Sequence, residues 1–163
     1  MTDLAYRRLV YHSSAADYDH CGHLVTAGDP EALWRSGTSG SEWLEFRLGR
    51  LCTIQQIHIT WGGGVPEVVE VQQPSGERWM SLRTLRAEPG IQVIPLPQLR
   101  AEKLRLRFRL PAGRCCEVQR VEIIGEGEAP PLPESPWRIA RAPEVDSDGE
   151  TLSGPYDDSG WLP

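Results

Sequence analysis

Hydrophobic and polar residues alternate along much of the chain as far as about residue 127, which is the period of β-strands with one buried face. The clearest example is residues 102–110, where apolar side chains point one way and arginines the other: Leu104, Leu106, Phe108 and Leu110 against Arg105, Arg107 and Arg109. Such a strand is typical of an antiparallel sheet with one solvated face. No window has a helical period long enough to predict a helix.

Eight segments have this strand character, and turns rich in Gly and Pro separate several of them. They are residues 5–12, 42–48, 53–61, 67–73, 77–85, 91–95, 102–110 and 117–125. Strands of this number and length predict an all-β fold, an eight-stranded antiparallel jelly-roll β-sandwich. The longest segment without strand character is residues 13–41, and a loop of that length is either functional or wrongly assigned.

The composition changes after residue 127. Residues 128–136 are rich in proline and poor in apolar side chains, which predicts an extended linker. Residues 137–163 contain two tryptophans but cannot bury them alone. We therefore predict one β-sandwich domain in residues 1–127, then the linker, then the start of a following domain or an extended tail.

Composition and charge narrow the class of protein. The chain has 163 residues, of which 39% are hydrophobic and 25% charged, as in globular proteins. Its net charge of −6 argues against nucleic acid or an anionic membrane as a partner. There is no apolar run of about 18 residues to span a membrane. The apolar run near the N-terminus is too short for a signal peptide, which leaves a cytoplasmic protein or one whose leader was removed.

The four cysteines show no spacing that is typical of a zinc site. They are Cys21, Cys52, Cys115 and Cys116. A disulfide between the adjacent Cys115 and Cys116 would be strained. We interpret most of them as free or buried thiols, with a redox switch as the weaker alternative.

The segment from Trp34 to Trp61, WRSGTSGSEWLEFRLGRLCTIQQIHITW, resembles the discoidin family, also called coagulation factor 5/8 type C domains. In bacteria that family overlaps family 32 of the carbohydrate-binding modules. The resemblance implies a discoidin-like jelly roll that binds a ligand without catalysis, and a secreted or cell-surface protein. The phrase YDDSGWLP resembles the N-terminal sugar-binding domain of family 2 glycoside hydrolases, which implies that residues 137–163 begin a glycosidase domain and that the parent protein is such an enzyme.

The common catalytic motifs do not occur in the sequence. It has no Gly-x-Ser-x-Gly, no His-Glu-x-x-His and no phosphate-binding glycine loop with Lys. The run Gly62–Gly64 leads into Val-Pro, which predicts a turn or a close approach of a ligand to the backbone. Paired carboxylates fall in residues 137–163, where no core would fix their separation. We therefore predict no catalytic residue in this chain.

Polar and aromatic residues that suit a sugar are concentrated in residues 13–34. A sugar offers hydroxyl groups and an apolar face, so its site needs hydrogen-bonding side chains around an aromatic ring. The candidates are Asp17, Tyr18, Asp19 and His20 here, with Arg35, Trp61 and Arg114 elsewhere. Trp61 is the candidate aromatic platform, with a core position as the alternative. The alternative for residues 17–20 is a solvated loop whose polar side chains cap turns.

The resemblance also implies a place for a structural calcium ion, but this sequence departs from the motif. Many discoidin modules carry Asp-Gly-Asp-x-x-Thr-x-Trp, whereas this chain has Ala27 and Ala32 at two of those positions. Calcium needs six or more oxygen ligands. We therefore expect no metal, with Asp29 as the weak candidate for calcium. Our hypothesis is that Arg120 replaces the ion by pairing with Asp29 or Glu31, and the alternative is an exposed Arg120.

The sequence as a whole predicts a non-catalytic carbohydrate-binding module that brings a parent glycoside hydrolase to its glycan. Its partners would be a mono- or oligosaccharide and the catalytic domain of that enzyme. The main alternative is a degenerate module that serves as a spacer or docks on the catalytic domain. A third possibility, a phospholipid- or protein-binding discoidin, would need exposed apolar side chains on the loops, and only Tyr18 and Leu24 are candidates.

Overall fold

The computed structural model describes residues 1–127, and these form a strand-rich domain. The strands are β1 (Thr2–Asp3), β2 (Leu9–His12), β3 (Trp34–Arg35), β4 (Ser41–Trp61), β5 (Val68–Ser75), β6 (Arg78–Arg86), β7 (Ile91–Arg109) and β8 (Glu117–Glu126). Two short 3₁₀ helices, η1 (Tyr18–His20) and η2 (Gly22–Thr26), lie between β2 and β3. The predicted linker and the predicted further domain fall outside the described residues.

Two long strands, β4 and β7, run antiparallel to each other and bend together. Their pairing is interrupted between Arg47 and Cys52, where Gly49 adopts a φ of 83°. At a second register shift, between Ile54 and Gln56 of β4, Gln98 of β7 has a φ of 57°. A glycine adopts a positive φ without steric cost, so the strand can turn a corner without leaving the sheet. The predicted strands 42–48 and 53–61 are therefore one strand, and so are 91–95 and 102–110.

Because both long strands bend, their two halves belong to two different layers. In the first layer the order is β2, the N-terminal half of β4, the C-terminal half of β7, β5 and β6. In the second layer the C-terminal half of β4 lies between the N-terminal half of β7 and β8, and β8 also pairs with β1 and β3. All pairs are antiparallel, which confirms the predicted all-β sandwich.

The space between the layers is filled by the apolar positions that the alternation predicts. Leu104, Leu106, Phe108 and Leu110 are all buried, and the arginines between them face out. Phe108 contacts both Trp34 and Trp61, with ring centroids 5.7 Å apart in each pair. These three rings close the core at one end of the sandwich.

Two other tryptophans lie outside the core. Trp43 and Trp79 are half-buried on the outer face of the first layer. Trp43 lies between the inward-facing Glu42 and Leu44 of β4, so alternation directs it to solvent, and Trp79 of β6 lies on the same face. There they flank the guanidinium of Arg105 at 4.2 and 4.1 Å from their ring centroids.

The N-terminal region also differs from the prediction. Of the predicted strand 5–12, only Leu9–His12 pairs, with β4, because Arg7 adopts a φ of 54° that breaks extended structure. The segment 13–41, predicted as a loop, holds η1, η2 and β3. All four cysteines are free thiols, and Cys52 and Cys116 are buried. Among residues 1–127, no helix is long and apolar enough to cross a membrane.

We predict that Phe108→Ala lowers the free energy of unfolding by about 3–5 kcal/mol, because it removes a fully buried ring and leaves a cavity beside two tryptophans. Urea denaturation followed by tryptophan fluorescence measures the change. Leu51→Ala, at an exposed site, is the matched control and should change it by less than about 0.5 kcal/mol. Equal effects of the two substitutions would contradict this account of the core.

Candidate functional site

Four loop segments come together at one end of the sandwich, and we call this end the rim: residues 13–22, 35–40, 62–65 and 111–117. Backbone hydrogen bonds join them. The Ala16 N–H donates to the Arg35 carbonyl at 2.8 Å, and the Ser36 N–H donates to the Cys116 carbonyl at 2.9 Å. The Gly62 N–H donates to the Glu117 carbonyl, while the Glu117 N–H donates to the Gly64 carbonyl. The rim is therefore an ordered surface.

The carboxylate of Glu117 connects three of these segments. Its Oε1 accepts a hydrogen bond from Arg35 Nε at 2.7 Å. Its Oε2 accepts from the Gly63 and Gly64 amides at 2.7 and 3.2 Å. Partial burial raises the pKa of Glu117, but the Arg35 guanidinium and these amides outweigh that effect and hold the pKa below its ordinary value of 4.5. Glu117 is thus charged at neutral pH and fixes both Arg35 and the glycine loop.

The glycine run 62–64 is required by close packing against the start of β8. A Cβ atom added at Gly62 would lie 2.7 Å from the Glu117 Cβ, and one at Gly64 would lie 2.6 Å from the Cys115 carbonyl oxygen. Either contact is shorter than atoms can approach without rearrangement. The loop is therefore a tight turn fitted to Glu117, and its Gly63 backbone is exposed at the rim.

A second carboxylate, that of Glu42, anchors the long segment that follows β2. It accepts hydrogen bonds from the hydroxyl groups of Ser13, Ser14 and Ser39, the last two at 2.6 and 2.9 Å, and from the Ser39 N–H. Burial raises the pKa of Glu42, and these donors more than reverse that effect, so the pKa lies below 4.5. This buried carboxylate holds both ends of segment 13–41 against β4.

Arg35 lies in β3 and is half exposed at the rim. Its Nε is committed to Glu117, and the hydrogen bond to that carboxylate raises the pKa of the guanidinium further. The terminal NH₂ groups donate to no other group within residues 1–127. They point to a site where two parallel hydrogen bonds to an incoming ligand are possible.

The predicted cluster of residues 17–20 forms the short helix η1 and its cap. Asp17 Oδ1 accepts from the Asp19 N–H at 3.0 Å and lies 2.6 Å from His20 Nδ1. The hydrogen bond from His20 lowers the pKa of Asp17 below its ordinary value. Asp17 therefore caps the turn, as in the loop alternative, while the side chain of Tyr18 is 96% exposed. Asp19 is exposed beside it.

Of the two remaining candidates, Trp61 has a different role from the one expected, and Arg114 lies at the rim. Trp61 is 5% exposed, packs edge-on against Phe108 and donates from Nε1 to Gln92 Oε1 at 3.2 Å. It occupies the core position that we kept as the alternative, so its ring has no open face for a sugar. Arg114 lies in the exposed turn that closes with its N–H on the Pro111 carbonyl, at the same end as the rim.

The hypothesis that Arg120 replaces a calcium ion by pairing with Asp29 or Glu31 is wrong. Arg120 pairs with Glu122 at 2.8 Å and not with Asp29 or Glu31. Asp29 instead accepts from the Glu31 N–H, and the Gln119 side chain donates to the Pro30 carbonyl. Gln119 thus ties this loop to β8. No group of three metal-ligating side chains is close enough to hold an ion in the described part of the chain.

Sequence reasoning missed Glu117 and Glu42, the two residues that organise the rim. Glu42 lies at an inward position of β4, between a serine-rich loop and a run of alternating apolar residues. An acidic residue at a predicted inward position is the signal that could have identified it, because buried carboxylates require partners. Glu117 carries no such signal, since its partners are far away in the sequence.

Solved structures share this fold. Chitosan-binding module 1 of a chitosanase/glucanase from Paenibacillus sp. IK-5 is 18% identical, with 77% of this chain and 100% of that module aligned at a TM-score of 0.70. Module 2 of the same enzyme, solved with chitotriose, is 19% identical over 75% of this chain and 99% of its own, with a TM-score of 0.68. A Streptococcus pneumoniae fucose-binding module is 17% identical over 78% of this chain and 100% of its own, with a TM-score of 0.65.

At these identities the likeness establishes the fold, which is the β-sandwich of carbohydrate-binding modules. No protein-family model matches the chain, and no curated protein matches it.

We predict that Glu117→Gln lowers the free energy of unfolding at neutral pH by about 1–3 kcal/mol, because the ion pair with Arg35 is lost. The stabilisation from Glu117 is present above pH 4.5, where the unfolded chain is also ionised, and is lost as the pH falls through the lower pKa of the folded state. The variant should therefore lose less stability than the wild type on acidification below pH 4.5.

Thermal or urea unfolding at several pH values measures this difference. Glu126→Gln, at an exposed carboxylate of β8, is the matched control and should keep the wild-type pH dependence. A Glu117→Gln variant with unchanged stability and unchanged pH dependence would show that Glu117 does not fix the rim.

Proposed function

We propose that residues 1–127 form a non-catalytic carbohydrate-binding module whose glycan site is the rim around Tyr18 and Arg35. The observation that carries the proposal is the almost fully exposed Tyr18 ring, in the turn that Ala16 anchors to Arg35. Aromatic rings are normally buried at least in part, and an open ring beside hydrogen-bonding groups suits the apolar face of a sugar. The solved modules that share the fold include one in complex with chitotriose and one described as fucose-binding.

The chemistry of the rim suits a neutral sugar. The Arg35 guanidinium is already paired with the Glu117 carboxylate, and the Asp17 carboxylate is already hydrogen-bonded to His20, so part of the bonding capacity of each group is satisfied. Their remaining donor and acceptor capacity, with Asp19 and the exposed Gly63 backbone, can bond hydroxyl groups. Arg114, on the adjacent turn, is a further donor at the margin of this site.

The affinity for a single sugar should be weak, with a Kd on the order of 0.1–1 mM, because a shallow rim buries little of a small polar ligand. Such a module is useful when it is tethered. Joined to a parent glycoside hydrolase, it would raise the local concentration of the glycan without changing the chemical step. The family 2-like parent, and the catalytic domain as a second partner, belong to this proposal and rest on the phrase near residues 156–163.

A specific observation favours one second candidate, a spacer or docking module. Ile91 and Val93 are 70% and 51% exposed on the N-terminal half of β7, at the edge of the second layer. Two neighbouring apolar side chains on a strand could contact another domain. A glycan array distinguishes the candidates, because the absence of binding across a broad array would favour docking.

A phospholipid-binding module would need exposed apolar side chains on its loops. Of the two candidates for that role, Tyr18 is exposed and Leu24 is half-buried.

We predict that Tyr18→Ala weakens glycan binding by about five- to tenfold, the loss expected for one stacked ring, with an unchanged melting temperature. A glycan array identifies the ligand, and calorimetry or NMR titration with that glycan measures the Kd.

Tyr6→Ala is the matched control, because Tyr6 is a half-exposed tyrosine in the turn after β1. It should bind like the wild type. Binding that is unaffected by Tyr18→Ala but is lost in Tyr6→Ala would place the site away from the rim. Arg35→Ala should also weaken binding, but it removes the partner of Glu117 and is therefore a less selective variant.

A further inference from the structure

The outer face of the first layer carries a row of cationic side chains that the rim does not use. Along β7, Lys103, Arg105, Arg107 and Arg109 occupy successive outward positions, and the row is about 20 Å long. Arg47 of β4 is the register partner of Lys103. Arg86 of β6 and Arg109 of β7 are both register partners of Val68 in β5, which lies between them. We call these six residues the basic face.

Only two carboxylates lie among the outward positions of these strands, and both are recessed. Glu45 pairs with Arg105 at 3.0 Å and with Arg47 at 3.3 Å. Glu70 pairs with Arg109 at 2.9 Å and lies 3.9 Å from Arg107. The two carboxylate side chains are 8% and 11% exposed, whereas the guanidinium side chains of Arg47, Arg107 and Arg109 are 49%, 49% and 61% exposed. The carboxylates thus lie beneath the guanidinium groups, and the solvent-facing surface is positive.

Two carboxylates against six cations leave an excess of four positive charges at these outward positions. Lys103 and Arg86 have no acidic partner within 4 Å in residues 1–127. The net charge of the whole chain conceals this excess. Residues 1–127 contain fifteen Lys and Arg against fifteen Asp and Glu, so the net −6 belongs to residues 128–163.

The centre of the basic face is held rigidly. The Arg105 guanidinium is stacked between the rings of Trp43 and Trp79, and its third contact is the Glu45 carboxylate. Tyr11 supports Arg47 in a similar way, with the guanidinium 4.6 Å from the ring centroid. Cations that are fixed in place lose less entropy when they bind an anion. A long row of cationic side chains with a rigid centre suits an extended polyanion, and the exposed guanidinium groups of Arg107 and Arg109 can donate to its carboxylates.

We propose that the basic face is a second binding surface, and that its ligand is a carboxylate-bearing polysaccharide, a polyuronate. The surface is distinct from the rim in position and in the charge it recognises. It is also independent of the function proposed for the rim.

The test is retention of the full chain on immobilised alginate, followed by elution with salt. Wild-type protein should bind at about 0.01 M salt and elute as the Debye length shortens from ~30 Å toward ~3 Å at about 1 M. The double substitution Lys103→Glu and Arg86→Glu should weaken binding by about tenfold or more. It breaks no ion pair of the face, so the melting temperature should change little.

The matched control is Arg78→Glu with Arg100→Glu, which makes the same change in net charge at exposed sites off the basic face. It should keep wild-type retention, and so should the rim variant Tyr18→Ala. Equal loss in both double variants would overturn the proposal, because net charge alone would then explain binding. Failure of the wild type to bind alginate, or stronger retention on duplex DNA than on alginate, would overturn it as well.

Discussion

The rim depends on one interaction, the bonding of the Glu117 carboxylate to Arg35 and to the glycine amides. Those groups come from three segments that lie far apart in the sequence. Ordering these loops costs conformational entropy, and the bonds to Glu117 offset that cost. Glu42 performs the same task for the serine-rich segment. Each buried carboxylate is stable because its donors are already in place, and removal of one partner would leave a charge without compensation. The geometry of this end of the sandwich is therefore set by two acidic residues.

The bent strands decide where that end lies. Because β4 and β7 cross from one layer to the other, the loops after Trp61 and Arg109 emerge at the same end as the segment before Ser41. The bend needs a positive φ at Gly49 and a register shift, and both are local features of the chain. The same crossing places the outward residues of β7 on one face over its whole C-terminal half. The rim and the basic face are thus consequences of one pair of strands.

Periodicity predicted the fold well because burial follows it directly. The residues from Leu104 to Leu110 alternate in the sequence and in the structure, and every inward member is buried. Bends within a strand are harder to predict. The alternation breaks at Gly49-Arg50, which predicts the end of a strand, although β4 continues through it. The structure brings only some of the candidate site residues together. Tyr18 and Arg35 do lie at the rim, whereas Trp61 is buried, because it continues the inward alternation of β4 and packs against Phe108. Contacts such as Arg35 with Glu117 depend on residues 82 positions apart, and a single sequence does not encode that distance.

Electrostatics separates the two surfaces more clearly than position does. At the rim Arg35 is paired with Glu117 and Asp17 is bonded to His20, and the hydrogen-bonding capacity that remains there is of the kind that hydroxyl groups satisfy. On the outer face two recessed carboxylates serve four arginines, and the excess charge stays at the surface, where only an anion can neutralise it. On the two functions proposed above, a neutral oligosaccharide would bind at the rim and a polyuronate on the basic face. If one polysaccharide contacts both, its neutral end belongs beside Tyr18 and its acidic portion along β7, and salt should then weaken only the second contact.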